Sequence, residues 1–261
     1  MKRTRFLTFV VALTVVFMMT GVGQGNAQQK PPPPRDGQKP PPPGQSSSGA
    51  QQAVQVSETT ATSGSVTIKA EVWADNWFAF YLGDTLVLED SVPITTERSF
   101  NAEAFTFQAD YPMMLNFVIK DFKENDTGLE YIGTDRQQMG DGGFVAQFTD
   151  TATGNVVAVS NADWKCLVIH EAPLDMRCVS EANPVAGQGA CGFIALDEPE
   201  GWKQSDFDDS AWVNATEYSS AQVGPKDGYD QISWDSNAQL IWTSNLESHN
   251  TILCRLKVKK P

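Results

Sequence analysis

Val66-Thr67-Ile68-Lys69-Ala70-Glu71-Val72-Trp73 alternates between two kinds of position, and an aromatic run, Phe78-Ala79-Phe80-Tyr81-Leu82, follows it closely. A strand sends successive side chains to opposite faces, so Val66, Ile68, Ala70 and Val72 share one face while Thr67, Lys69, Glu71 and Trp73 share the other. Gly83-Asp84 then leads into Thr85-Leu86-Val87-Leu88. A glycine there supplies the positive φ of a tight hairpin. The same reasoning predicts strands at residues 105–108, 114–120, 144–148, 156–159, 164–169, 240–243 and 251–258, with a turn at Thr153-Gly154-Asn155. No segment of ten or more residues carries a helical period, so the class is all-β. Roughly 195 residues in many short strands, from Ser65 to Pro261, suit one jelly-roll β-sandwich better than two domains.

Upstream of that domain the composition changes twice. Lys2, Arg3 and Arg5 precede an apolar run over residues 6–19 and a small-residue stretch ending Gly25-Asn26-Ala27, the pattern of a secretory signal cleaved after Ala27. A bilayer span needs about 20 apolar residues, more than this run offers. Residues 28–64 are rich in Pro, Gln and Ser and repeat Gln29-Lys30-Pro31-Pro32-Pro33-Pro34 as Gln38-Lys39-Pro40-Pro41-Pro42-Pro43. They read as a disordered spacer, stiff in its polyproline runs. The expected organisation is therefore a signal peptide (1–27), a linker (28–64) and a β-domain (65–261), with the product secreted to the extracellular space, periplasm or cell surface and not inserted in a membrane.

Export agrees with the cysteines. Cys166, Cys178, Cys191 and Cys254 form an even set without a CxxC pair, which favours two disulfides over a zinc cluster and leaves three connectivities open. Cys178 with Cys191 would close a local loop. Cys166 and Cys254 lie on the apolar faces of their strands, and their pairing would tie the last strand to the middle of the chain. Each bond contributes about 3 to 5 kcal/mol in the loop-entropy account. Charge excludes some partners: the formal net charge of −13 becomes −16 without Lys2, Arg3 and Arg5, when 16 basic residues face 32 acidic ones. Such a surface repels phosphate backbones and anionic lipid, so nucleic acid is not an expected partner.

Further motifs occur in a telling order. Ala74-Asp75-Asn76-Trp77-Phe78-Ala79-Phe80-Tyr81-Leu82-Gly83 is followed by Gly142-Gly143-Phe144-Val145-Ala146-Gln147-Phe148 and Ser160-Asn161-Ala162-Asp163-Trp164-Lys165. Then come Gly201-Trp202-Lys203-Gln204-Ser205-Asp206-Phe207-Asp208-Asp209-Ser210-Ala211-Trp212 and the pair Ile241-Trp242-Thr243 with Asn250-Thr251-Ile252-Leu253-Cys254-Arg255. Together these resemble the galactose-binding-like β-jelly-roll domains that serve as accessory or N-terminal modules of α-rhamnosidase-type and β-galactosidase-type glycoside hydrolases. Leu82 departs from the pattern, which has asparagine there, and Asp110-Tyr111-Pro112-Met113-Met114-Leu115-Asn116-Phe117-Val118 replaces its Gly-Asn-x-hydrophobic segment. The resemblance implies a jelly roll that is commonly non-catalytic and often carbohydrate-associated. Asp206, Asp208, Asp209 and Ser210 have the chemistry to fix a turn, and Phe207 and Trp212 to plug a core.

Sugars are held by ring stacking and by amide or carboxylate hydrogen bonds on loops. Asp75, Asn76 and Trp77 sit where a loop meets a strand, and Trp73 and Tyr81 are expected on an exposed sheet face, so these five are the ligand candidates. The plain alternative is a hairpin whose rings pack on neighbouring strands. The loop carrying Asp121, Asp126 and Glu130, with Asp135 and Asp141 further on, offers hard oxygen ligands for calcium, against the alternative of simple solvation. No other cofactor is expected. His170 and His249 belong to no catalytic or metal motif and no GxSxG elbow occurs, so no catalytic residue is named, although two carboxylates alone suffice for a glycosidase. The expected function is non-catalytic binding of an extracellular or envelope glycan. The alternatives are a structural or adhesive protein that binds another envelope protein, with calcium assisting, and a glycan hydrolase.

Overall fold

The computed structural model describes residues 54–59 and 61–260, all within the compact unit Gly49–Pro261. The expected signal and most of the expected linker lie outside the described residues. The described residues are all-β, and helix among them is limited to a single turn, α1 (Ser220–Val223), and two short 3-10 segments. One sheet runs in the order β1 (Val56–Glu58), β5 (Ala102–Ala109), β2 (Val66–Asp75), β9 (Gly143–Asp150), β15 (Leu240–Trp242) and β14 (Thr216–Tyr218), with β10 (Val156–Val159) also on β9. The other runs β12 (Ile194–Ala195), β11 (Lys165–Glu171), β16 (His249–Val258), β6 (Met113–Lys120), β3 (Trp77–Leu82) and β4 (Thr85–Glu89), with β13 (Val213–Asn214) on β11. A small ribbon joins β7 (Leu129–Glu130) to β8 (Gln138–Met139). The strand at Val56–Glu58 lies inside the expected linker: it pairs in parallel with β5, so the sheet begins earlier than composition suggests.

The two sheets stack face to face because their period-two apolar faces meet. Ile68, Ala70 and Val72 of β2 are fully buried in the central core, with Phe78 and Phe80 of β3 and Ile252 and Cys254 of β16. Rings bridge the layers: Phe80 of β3 has its centroid 5.7 Å from Phe105 and 5.2 Å from Phe107 of β5, and Phe117 of β6 lies 4.8 Å from Phe144 of β9. Each such pair adds about 0.5–1.5 kcal/mol beyond the area it buries. The hairpin turn forms at Gly83, whose φ of 57° is the left-handed conformation predicted for it.

Both cysteine pairs are disulfides, Cys166–Cys254 and Cys178–Cys191. The first joins directly opposed residues of β11 and β16, with Cα atoms 4.2 Å apart, so it staples neighbouring strands of one sheet. No helix among the described residues is long and apolar enough to cross a membrane.

The outer sheet faces are not left bare, and the long irregular stretch between β11 and β15 explains why. Trp73, expected on an exposed face, is fully buried under Val223, Ile232 and Tyr229, and its indole N–H donates to the Asp227 carbonyl at 3.1 Å. On the second sheet Trp202, Phe207 and Trp212 cover Ala79, Val118 and Leu253. The Trp- and Asp-rich motif is therefore a roof: Asp208 accepts from the Ser210 amide, and the buried Arg255 donates to the carbonyls of Gln204 and Phe207.

Asp90, just after β4, is a buried carboxyl with one oxygen on the Val92 amide at 3.0 Å and the other without a partner. Burial pushes its pKa up to about 7. A carboxyl whose folded pKa exceeds its unfolded one stabilises fully only below the unfolded value, and that stability drains away as pH rises from about 4 to about 7. At most about 4 kcal/mol is at stake. Asp90→Asn is expected to flatten this slope, so that urea midpoints at pH 5 and pH 8 converge. A pH profile parallel to that of the natural chain would contradict it.

Candidate cation-binding site

One end of the two stacked sheets collects acid. β2 ends on Asp75, Asp121 directly follows β6, and Asp141 lies just before β9. Register brings them together, because Asp75 is opposite Gly143 on β9 and Trp77 is opposite Lys120 on β6. The Asp121 amide donates to the Asn250 carbonyl at 2.9 Å, which fixes the chain as it leaves β6. Each of Asp75, Asp121 and Asp141 places one carboxylate oxygen so that the three lie within 4.8 Å of one another. Oxygens about 2.4 Å from a shared ion stand at most about 4.8 Å apart, a spacing that these three oxygens meet. Small residues make the room: a Cβ on Gly140 would overlap Asp121 Oδ2, and one on Gly142 would meet the Trp242 ring.

The electrostatics of the cluster are one-sided. Asp75 and Asp121 are buried, and neither oxygen of either carboxylate has a hydrogen-bond partner. Burial drives the Asp75 pKa well above the ordinary carboxylate value, and the Asp141 charge adds to it while Lys226 opposes. Burial does the same to Asp121, reinforced by Asp75, Glu130 and Asp141. Glu130, in β7, accepts from Gln138 at 2.6 Å and is pushed by burial up to about 7. Four carboxyls thus meet one ammonium, that of Lys226, which lies 2.7 Å from Asp141 and 3.6 Å from Asp75, the latter too long for a hydrogen bond. Burial works against the Lys226 charge, but Asp75 and Asp141 outweigh it and hold its proton more tightly than usual. Isolated buried carboxylates are costly unless they are protonated, paired or on a metal.

The residues named from sequence are redistributed by the fold. Of the calcium candidates, Asp121 is within the cluster and Glu130 close enough to raise its pKa, but Asp126 is not part of it. Its carboxylate binds Lys123 at 2.6 Å and His170 at 3.2 Å, which already compensate its charge. Asp135 is exposed and does not belong to the cluster either.

Of the sugar candidates, Asp75 faces the other carboxylates and not solvent. Asn76 is buried as a clamp, accepting from the Phe122 amide at 2.6 Å and donating to the Glu97 carbonyl at 3.1 Å. Trp77 and Tyr81 are half-buried on the outer face of β3, with the Lys120 ammonium 4.7 Å from the first ring and Lys203 4.2 Å from the second. Trp73 offers no free ring, for the packing reason given above. His170 is buried against Asn250 and Asp126. Lys226 carried no signal in the sequence: it meets Asp75 only because the chain between them, residues 76–225, returns to the same end. No family model, curated protein or solved structure matches this chain.

Proposed function

We propose that this chain is an exported, non-catalytic binding module, a jelly-roll-type sandwich of galactose-binding-like character, whose acidic end takes a divalent cation of the calcium class and supports binding of an extracellular glycan. The observation that carries the cation is the set of four buried carboxylate oxygens on Asp75 and Asp121 that no donor reaches. The half-buried Trp77 ring, at the start of the strand that begins beside that cluster and with the half-buried Tyr81 further along it, is the leading stacking surface for a sugar. Isothermal calorimetry with calcium chloride, followed by a glycan array in calcium and in EDTA, tests both parts. Saturable calcium binding is expected, with glycan signals that weaken in EDTA and in Trp77→Ala. The absence of any calcium heat removes the cation, and glycan binding untouched by Trp77→Ala removes the ring.

A second reading, a structural or adhesive envelope protein, is favoured by the exposed Leu174, Met176, Ile194 and Leu196 near the edge strand β12. Binding to a purified protein partner without response to any sugar would select it. Glycan hydrolysis abolished by a single carboxylate substitution would instead make the chain an enzyme.

A further inference from the structure

Lys226 lies with Asp141 on a solvent-exposed side of the acidic cluster. Asp75 and Asp121 are sealed, whereas the Asp141 side chain is 40% exposed and that of Lys226 is 35% exposed. The ammonium therefore lies across the mouth through which an ion would reach the buried oxygens. The backbone beneath it is fixed: the Lys226 carbonyl accepts from the Tyr229 amide at 3.2 Å, and the neighbouring Asp227 carbonyl holds the Trp73 indole. Gly228, with φ at 94°, packs so closely on Asn101 and Ala102 that no Cβ fits. The side chain is free of such ties beyond its carboxylates and the Phe100 ring, and the loop from Pro225 to Gln231 borders an open cavity of about 400 Å³.

We propose that Lys226 is a tethered counter-cation that occupies the empty site, and that a divalent ion entering among Asp75, Asp121 and Asp141 expels its ammonium into the solvent-open cavity beside it. This rests on the cation reading above. Two positive centres cannot share oxygens this close together, because the like charges repel within a few ångströms in a poorly screened setting. Lysine suits the role, being a single charge on a flexible four-carbon stem that can leave without moving the pinned backbone. Ion and ammonium are thus mutually exclusive ligands of one carboxylate set. By linkage, whatever Lys226 gains from the empty site is subtracted from the affinity of the ion.

The test is lysine acetylation of the full chain with an N-hydroxysuccinimide ester, read by peptide mass spectrometry in calcium and in EDTA, with Lys123 as the internal control because its partner Asp126 lies outside the cluster. Calcium is expected to raise the acetylation rate of Lys226 at least about fivefold and to leave Lys123 unchanged. Calorimetry of Lys226→Met is expected to show calcium affinity tightened by about tenfold. If calcium binds but Lys226 reactivity does not change, the expulsion is wrong and the cation site stands. If calcium binds neither the natural chain nor Lys226→Met, both are wrong. The labelling arm needs no variant, so a failure of Lys226→Met to fold leaves the proposal open to refutation.

Discussion

In EDTA, Asp121→Asn is expected to unfold at a higher temperature than the natural chain, and in calcium at a lower one. Asp121 is 2% exposed, both its oxygens lack donors, and Asp75, Glu130 and Asp141 all press on its charge. An amide of the same shape carries no charge to desolvate and brings a donor to a place crowded with acceptors. The gain without metal is about 2 kcal/mol, or roughly 4–8 °C for a domain of this size. With calcium the order reverses, because an ion present at about a hundred times its dissociation constant stabilises the natural chain by about 2.7 kcal/mol and the variant has lost a charged ligand. Differential scanning fluorimetry in both buffers reads the crossing directly. A variant less stable than the natural chain in EDTA, and still stabilised by calcium, would show that Asp121 is an ordinary buried acid.

The second large effect is expected at the other buried charge. Arg255 on β16 is 2% exposed, donates from Nη2 to the Gln204 carbonyl at 2.7 Å and from Nη1 to that of Phe207 at 3.2 Å, and pairs with Asp209 at 3.2 Å. It is the bolt that keeps Trp202 and Trp212 on the sheet. Arg255→Met preserves bulk but strips the Phe207 carbonyl and the Asp209 carboxylate of the guanidinium and leaves the Gln204 carbonyl only the Phe207 amide, a loss of about 4 kcal/mol. Melting should fall by roughly 8–16 °C. Tryptophan emission should shift to the red as the roof lifts. Arg255→Lys is expected to recover only part, since an ammonium cannot span the same fork. A melting point unchanged in Arg255→Met would mean that the roof is held by its rings alone.

The strands that build the central core were legible from their apolar patterning, which alternates in β2 and runs nearly unbroken in β6 and β9. Val66 to Val72 alternates in sequence and alternates in burial, and residues 156–159 match β10 end to end. Most other boundaries were short by one to three residues, as at β5 and β16, where ladder hydrogen bonds reach past the apolar pattern, while 164–169 began one residue before β11 and 240–243 ran one residue past β15. The coverings were not legible. Residues 196–214 and 218–234 form few and short regular elements, so no period announces that they lie on sheet faces, and Trp73 was consequently placed in solvent. The acidic cluster was half visible: Asp121, Glu130 and Asp141 stood out as carboxylates near one another in sequence, but Asp75 joins them only through the pairing of β2 with β9. Local composition carries no information on that register, nor on Asp126 turning away towards His170.

The three residues Val56, Ser57 and Glu58 acquire a protective role from where they sit. They cap the rim of β5, whose Ala104, Phe105, Phe107 and Ala109 form an apolar strand that would otherwise present a row of unpaired amides and carbonyls to any passing chain. A polypeptide shortened to begin at Ser65 would keep every residue of the central core and still lose its guard against self-association, so the seemingly dispensable leader belongs to the solubility of the fold.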